Sequence, residues 1–73
     1  MINEKKLLLN LGKQIQAARK AKGFTQERLA ELCEFDPTYI SLLERGKRNP
    51  PFLTLCNIAE KLDCEVQHIV DVT

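Results

Sequence analysis

The sequence predicts an all-α fold, a compact bundle of five short helices, on three observations. Apolar residues recur at the three- and four-residue spacing of a helix face. Period-two alternation is absent and β-branched residues are scattered except near the C-terminus, so no segment reads as a strand. The breaks between the periodic stretches carry residues that stop and start helices. At 73 residues the chain has room for one domain, residues 1–73, with a small core.

In the first stretch Leu8, Leu11, Ile15 and Ala18 form one stripe between polar residues. Gly23 closes it as the glycine just past the end, with Lys20 and Lys22 in the last turn where cations suit the helix dipole. The next two helices begin with the same device. Thr25 is an N-cap with Phe24 before it and Leu29 four residues after it; Asp36 is an N-cap with Phe35 before it and Ile40 four residues after it. Both are hydrophobic staples around a cap, the second improved by Pro37 at the first helical position. Helices are therefore predicted from Thr25 to about Cys33 and from Pro37 to about Arg45. Only the turn Glu34-Phe35-Asp36 separates them, and Gly46 ends the later one. Beyond Asn49-Pro50-Pro51, Leu55, Ile58, Ala59 and Leu62 mark a fourth helix, and Val66, Ile69 and Val70 a short fifth from about Glu65.

Composition excludes several classes. With 44% hydrophobic and 29% charged residues the chain can bury a core and is not a disordered tail. Its longest purely apolar run, Leu7 to Leu9, falls far short of the roughly 20 residues that span a bilayer, so no membrane partner is expected. The start Met1-Ile2-Asn3-Glu4-Lys5-Lys6 has no apolar signal region, which places the expected location in the cytoplasm. Cys33, Cys56 and Cys64 sit inside apolar helical patterns and form no C-x-x-C pair, so they read as small hydrophobes rather than disulfide partners. Cys64 and His68 at i, i+4 match no common zinc spacing. No metal, other cofactor or small-molecule ligand is expected.

The net charge of +1 hides an asymmetry. Residues 1–30 carry seven Lys or Arg against two acids, and residues 31–73 carry four against eight. Within the acidic half lies one basic island, Arg45-Gly46-Lys47-Arg48. Such a distribution suits a protein that turns one face to an anion, although a solvated mixed surface has the same composition.

The second and third helices, about nine residues each around a tight turn, make a helix-turn-helix unit. Ile40 and Leu43 mark the inner face of its second helix, set against Leu29, Ala30 and Cys33. The opposite face then displays Thr38, Ser41, Leu42 and Arg45, with Tyr39 at the flank. Short side chains followed by cations fit a helix in a DNA major groove, where base edges and phosphates are met in that order.

From Leu11 to about Cys64 the chain resembles the lambda-repressor and Cro type of helix-turn-helix regulator, the xenobiotic-response-element family. The resemblance is carried by Leu11-Gly12-Lys13-Gln14-Ile15, Arg19-Lys20, Lys22-Gly23-Phe24-Thr25-Gln26-Glu27-Arg28-Leu29-Ala30, Tyr39-Ile40-Ser41 and Glu44-Arg45-Gly46-Lys47-Arg48-Asn49-Pro50. It implies that Gln26 contacts a DNA phosphate, that Thr38, Pro37 and Leu42 face bases, and that Tyr39 touches phosphate or base. It implies further that Arg45, Lys47 and Arg48 lie beside the DNA backbone. Glu44 matches an acid that braces the motif internally, toward a basic residue such as Arg19. Plainer roles are open to the same residues: a first-turn position for Gln26, solvent exposure for Thr38, a packed ring for Tyr39 and a solvated turn for the cations.

The departures from the family pattern carry information too. Position 34, normally glycine, holds Glu34 where a left-handed backbone is wanted, at a cost of about 1 kcal/mol. Pro37 and Leu42 cannot donate to a base edge and would read by apolar contact, leaving direct readout to Thr38, Ser41 and Arg45.

The expected function is a sequence-specific double-stranded DNA-binding transcriptional regulator, acting as a homodimer on a palindromic operator. At this size the chain is similar to restriction-modification controller proteins and small phage or plasmid repressors. Its C-terminal helices are expected to dimerise through Phe52, Leu53, Ile69, Val70 and Val72, although for Val66 and Ile69 closing the core of one chain is the stronger reading. RNA polymerase is a further expected partner if the chain activates, through acids such as Glu31 and Glu34. Glu34, Pro37 and Leu42 also suit an alternative, a protein-interaction module of antitoxin or anti-repressor type with little DNA binding. An enzyme is excluded on inventory: His68 has no evident nucleophile partner and no Gly-rich phosphate loop is present.

Overall fold

The computed structural model describes residues 3–70. Among these are five helices in the order expected: α1 (Glu4–Ala21), α2 (Gln26–Cys33), α3 (Pro37–Glu44), α4 (Phe52–Lys61) and α5 (Val66–Val70). No strand occurs among the described residues.

Each start has its own cause. The side chain of Asn3 accepts from the backbone N–H of Lys6 and caps α1. Thr25 Oγ1 accepts from Arg28 N at 3.0 Å, and Asp36 Oδ1 accepts from Thr38 N at 2.8 Å, so both expected caps form. Helix α4 begins at Pro51 without a side-chain cap.

The ends of α1 to α4 are all built one way. After α1, Gly23 N donates to Lys20 O and Phe24 N to Arg19 O, around Gly23 at φ +74°. The same paired reverse bonds close α2 around Glu34 (φ +60°), α3 around Gly46 (φ +72°) and α4 around Asp63 (φ +53°). This is the Schellman arrangement, which satisfies orphan carbonyls through one left-handed residue. Two of the four ends use a residue with a Cβ, the second of them, Asp63, without a sequence signal.

The core is Ile15, Leu29, Ala30, Cys33, Ile40, Leu43, Leu55, Ile58, Ala59, Leu62 and Ile69, drawn from all five helices and the cap of α4. Helix α3 packs on both α1 and α2, while α5 packs on α1 and α4. Each fully buried isoleucine or leucine contributes about 1.5–3 kcal/mol by leaving water, which is how Ile69, with Val66 and Val70 packed beside it, holds the five-residue α5. Of the two places open to Ile69, a subunit interface or the core of its own chain, it takes the core, the stronger reading of the two. It is fully buried within the single chain, because its side chain is the plug of α5, and it has no surface left for a second copy.

Two residues of α1 outside the expected stripe complete the packing. Gly12 and Arg19 are buried beside Ile15, and both face the end of α3.

Candidate nucleic-acid interface

Helices α2 and α3 are joined by Glu34-Phe35-Asp36, and the left-handed Glu34 turns the chain between them. Phe35 and Phe24, the residues before the two caps, pack against the core. The inner face of α3 is Ile40, Leu43 and Glu44, all buried. With that face fixed, the orientation of the outer face follows from helical geometry.

On the outer face Pro37, Thr38 and Arg45 are exposed, and Ser41 and Leu42 are half-buried. Tyr39 is half-buried, with its ring edge-on to Phe35 at 5.2 Å between centroids. Lys47 and Arg48 are exposed just past Gly46, and Arg48 Nη1 donates to the carbonyl of Lys47 at 2.9 Å. The side chains of Arg45 and Lys47 have no partner among the described residues. The structure thus brings Pro37, Thr38, Ser41 and Leu42 onto one helix, with Arg45 as its C-cap and Lys47 and Arg48 just beyond.

Gln26 lies at the start of α2, where it is half-buried and tied to α3. Its Nε2 donates to Glu44 Oε1 at 3.1 Å. The same carboxylate accepts from Arg19 Nε at 2.6 Å and Arg19 Nη2 at 3.0 Å, while Arg19 Nη1 donates to Phe24 O at 2.8 Å. The hydrogen bonds to Glu44 hold the Arg19 guanidinium charged above its ordinary value, against the opposing effect of burial. One buried network therefore joins α1, the α1–α2 link, the start of α2 and the end of α3. Glu44 and Arg19 were expected to pair; the bond from Gln26 was not, and no spacing in the sequence announces it.

Away from this face, Phe52 and Leu53 are exposed at 62% and 79%. Val70 lines an open groove with Leu7, Leu8, Leu11, Glu4 and Asn49. Leu7 and Leu9 are also exposed and were not anticipated as surface apolar residues. Val72 lies outside the described residues. Glu31, one of the acids considered for a polymerase contact, pairs with Arg28. Cys33 is buried, Cys56 and Cys64 are half-buried, and none is in a disulfide. Burial pushes the Cys33 and Cys64 thiols up from their usual range. No described helix is long and apolar enough to cross a membrane.

Comparison with known proteins places this geometry among relatives. Residues 15–69 match the model of a family described as Helix-turn-helix. The chain is 40% identical over 63 residues to an uncharacterized HTH-type transcriptional regulator, y4dJ, of Sinorhizobium fredii, covering 86% of this chain and 79% of that protein. Its structure is similar to that of the restriction-modification controller protein C.AhdI from Aeromonas hydrophila, with a TM-score of 0.82 and 35% identity over 85% of this chain and 94% of that one. It is also similar to SinR, a master regulator for biofilm formation solved in complex with DNA, with a TM-score of 0.79 and 32% identity over 84% and 98% of the two chains.

Proposed function

The chain belongs to the Helix-turn-helix family, and from that premise we propose that it is a transcriptional regulator that reads double-stranded DNA as a homodimer on a palindromic operator. The observation that carries this reading is the outer face of α3, which exposes Thr38 and Arg45 with Pro37, Ser41 and Leu42 beside them and Lys47 and Arg48 beyond. Helix α3 would enter the major groove, with Thr38 and Ser41 hydrogen-bonding base edges and Pro37 and Leu42 against thymine methyls. Arg45, Lys47, Arg48, Tyr39 and Gln26 would hold the flanking phosphates.

One α3 offers few base contacts, and a twofold axis doubles them. The exposed Phe52 and Leu53, with Val70, are the surface for a second copy, which would set the two α3 helices about 34 Å apart. The likeness to C.AhdI favours a controller of restriction and modification among the small regulators. The cytoplasm is then the place of action. An activator would also touch RNA polymerase, for which Glu34, exposed in the turn between α2 and α3, is an available acid. Nothing in the arrangement favours an enzyme: His68 is exposed on α5, apart from the α3 face.

Binding of duplex DNA, titrated against salt, tests the proposal. The regulator predicts affinity that falls steeply and linearly on a log–log plot, with a slope set by the phosphates neutralised. A protein-interaction module, the reading favoured by Glu34, Pro37 and Leu42, predicts no binding near physiological salt.

A further inference from the structure

We infer that Glu44 is a positioning residue for DNA binding, holding the Gln26 amide so that it presents an N–H to the phosphate backbone. The inference rests on the DNA-binding reading above and adds a role for a buried side chain that cannot touch DNA itself.

The argument starts from donor and acceptor chemistry. An ionised carboxylate only accepts hydrogen bonds, whereas a glutamine amide both donates and accepts. Glu44 takes a hydrogen from Gln26 Nε2 at 3.1 Å, which fixes the nitrogen, not the oxygen, toward the network. A phosphate oxygen also only accepts. The nitrogen has a second hydrogen, and it has no partner among the described residues. An amide held this way keeps that second N–H in reserve for an acceptor such as a phosphate oxygen, and it has no need to flip to offer it.

Charge decides whether a carboxylate can do this beside DNA. An unpaired Glu44 would repel a phosphate. Arg19 prevents that by closing on both carboxylate oxygens, at 2.6 and 3.0 Å, with the Glu44 side chain only 1% exposed. The pair is then neutral overall, yet Oε1 still accepts from Gln26. Arg19 also fixes Phe24 O, so the residues on both sides of the Thr25 cap are pinned by the same two side chains. Half-buried and tethered, Gln26 has its ordering cost met on folding rather than on binding, which is what preorganisation means for affinity.

The test is a double-variant cycle read on DNA affinity. Glu44→Gln alone leaves Arg19 buried without its charge partner and risks unfolding the domain. The background of choice is therefore Arg19→Met with Glu44→Leu, which removes both charges and keeps apolar volume. Circular dichroism first shows that each protein is folded at the binding temperature. Gln26→Ala in the native background should weaken DNA binding about 10-fold, the value of one hydrogen bond to a charged group. In the paired background the same substitution should cost at least about 2-fold less, since the amide is no longer held. Equal losses in both backgrounds would overturn the inference and leave Glu44 as a brace alone. A second readout needs neither DNA nor variants: by NMR, one Gln26 Nε2 proton should exchange slowly and its twin at the solvent rate. Fast exchange of both would overturn the inference while leaving DNA binding intact. Absence of DNA binding by the native protein would overturn the functional reading first, and this inference with it.

Discussion

Gly12 brings α1 so close to the end of α3 that a Cβ on it would stand 2.5 Å from the carbonyl oxygen of Glu44 and 2.5 Å from that of Leu43. Both are backbone atoms of the last turn of the helix proposed to read DNA. The approach fixes α3 against α1, and Arg19, two turns further along α1, then reaches Glu44 with both of its bonding nitrogens.

Gly12→Ala should therefore destabilise the fold, although alanine is the better helix former by about 1 kcal/mol. Backbone atoms cannot swing aside, so the helices must separate, at the upper end of the roughly 1–3 kcal/mol that overpacking costs. A net loss of about 2 kcal/mol in urea unfolding is expected. Equal or greater stability would contradict the close approach.

Glu34→Gly should act in the opposite direction. Glu34 sits at φ +60°, where a Cβ is unfavourable and glycine is not. A gain of about 1 kcal/mol follows, seen as a rise of about 4–8 °C in Tm for a domain of this size. An unchanged or lower Tm would place the turn in another conformation.

The Lys22–Asp63 ion pair links the ends of α1 and α4 at 2.9 Å. Its hydrogen bond and charge hold the Asp63 carboxyl below the usual aspartate range. A depressed folded value means that the pair's contribution is present above the ordinary aspartate value of about 3.9 and fades as pH falls through the folded value. Carboxyl titration by NMR should show Asp63 protonating at lower pH than an unpaired aspartate. Lys22→Ala should return it to the ordinary range, and an unmoved titration would show that the pair does not form.

Thr38 on α3 and Arg45 at its C-cap, both exposed, should fail differently when truncated. Arg45→Ala should weaken binding to every DNA sequence alike and lower the salt slope by about one. Thr38→Ala should relax preference at one base pair, at a cost of about 1–3 kcal/mol against the preferred base. Uniform loss in both would show that Thr38 does not face a base.

Much of this architecture is legible in the sequence because caps and turns are local. Thr25, Asp36, Pro37, Gly23 and Gly46 each act on backbone groups within a few residues, so their letters locate helix ends. The left-handed Asp63 is hard to read because aspartate only tolerates that conformation and does not demand it, although the backbone there closes α4 as glycines close α1 and α3. The sequence leaves Ile69 between a subunit interface and the core of one chain because period alone says that a face is apolar, not which neighbour covers it. The network at Glu44 depends on residues up to 25 positions apart. The resemblance to a known family suggested its Arg19 arm, and only the folded arrangement reveals Gln26.

Selection of bound sequences from a random duplex library, at about 150 mM salt, tests the central claim most directly. The account predicts enrichment of a palindrome whose half-sites lie about 10 base pairs apart centre to centre. A library that emerges unenriched, from a protein that no longer binds at this salt, would contradict it.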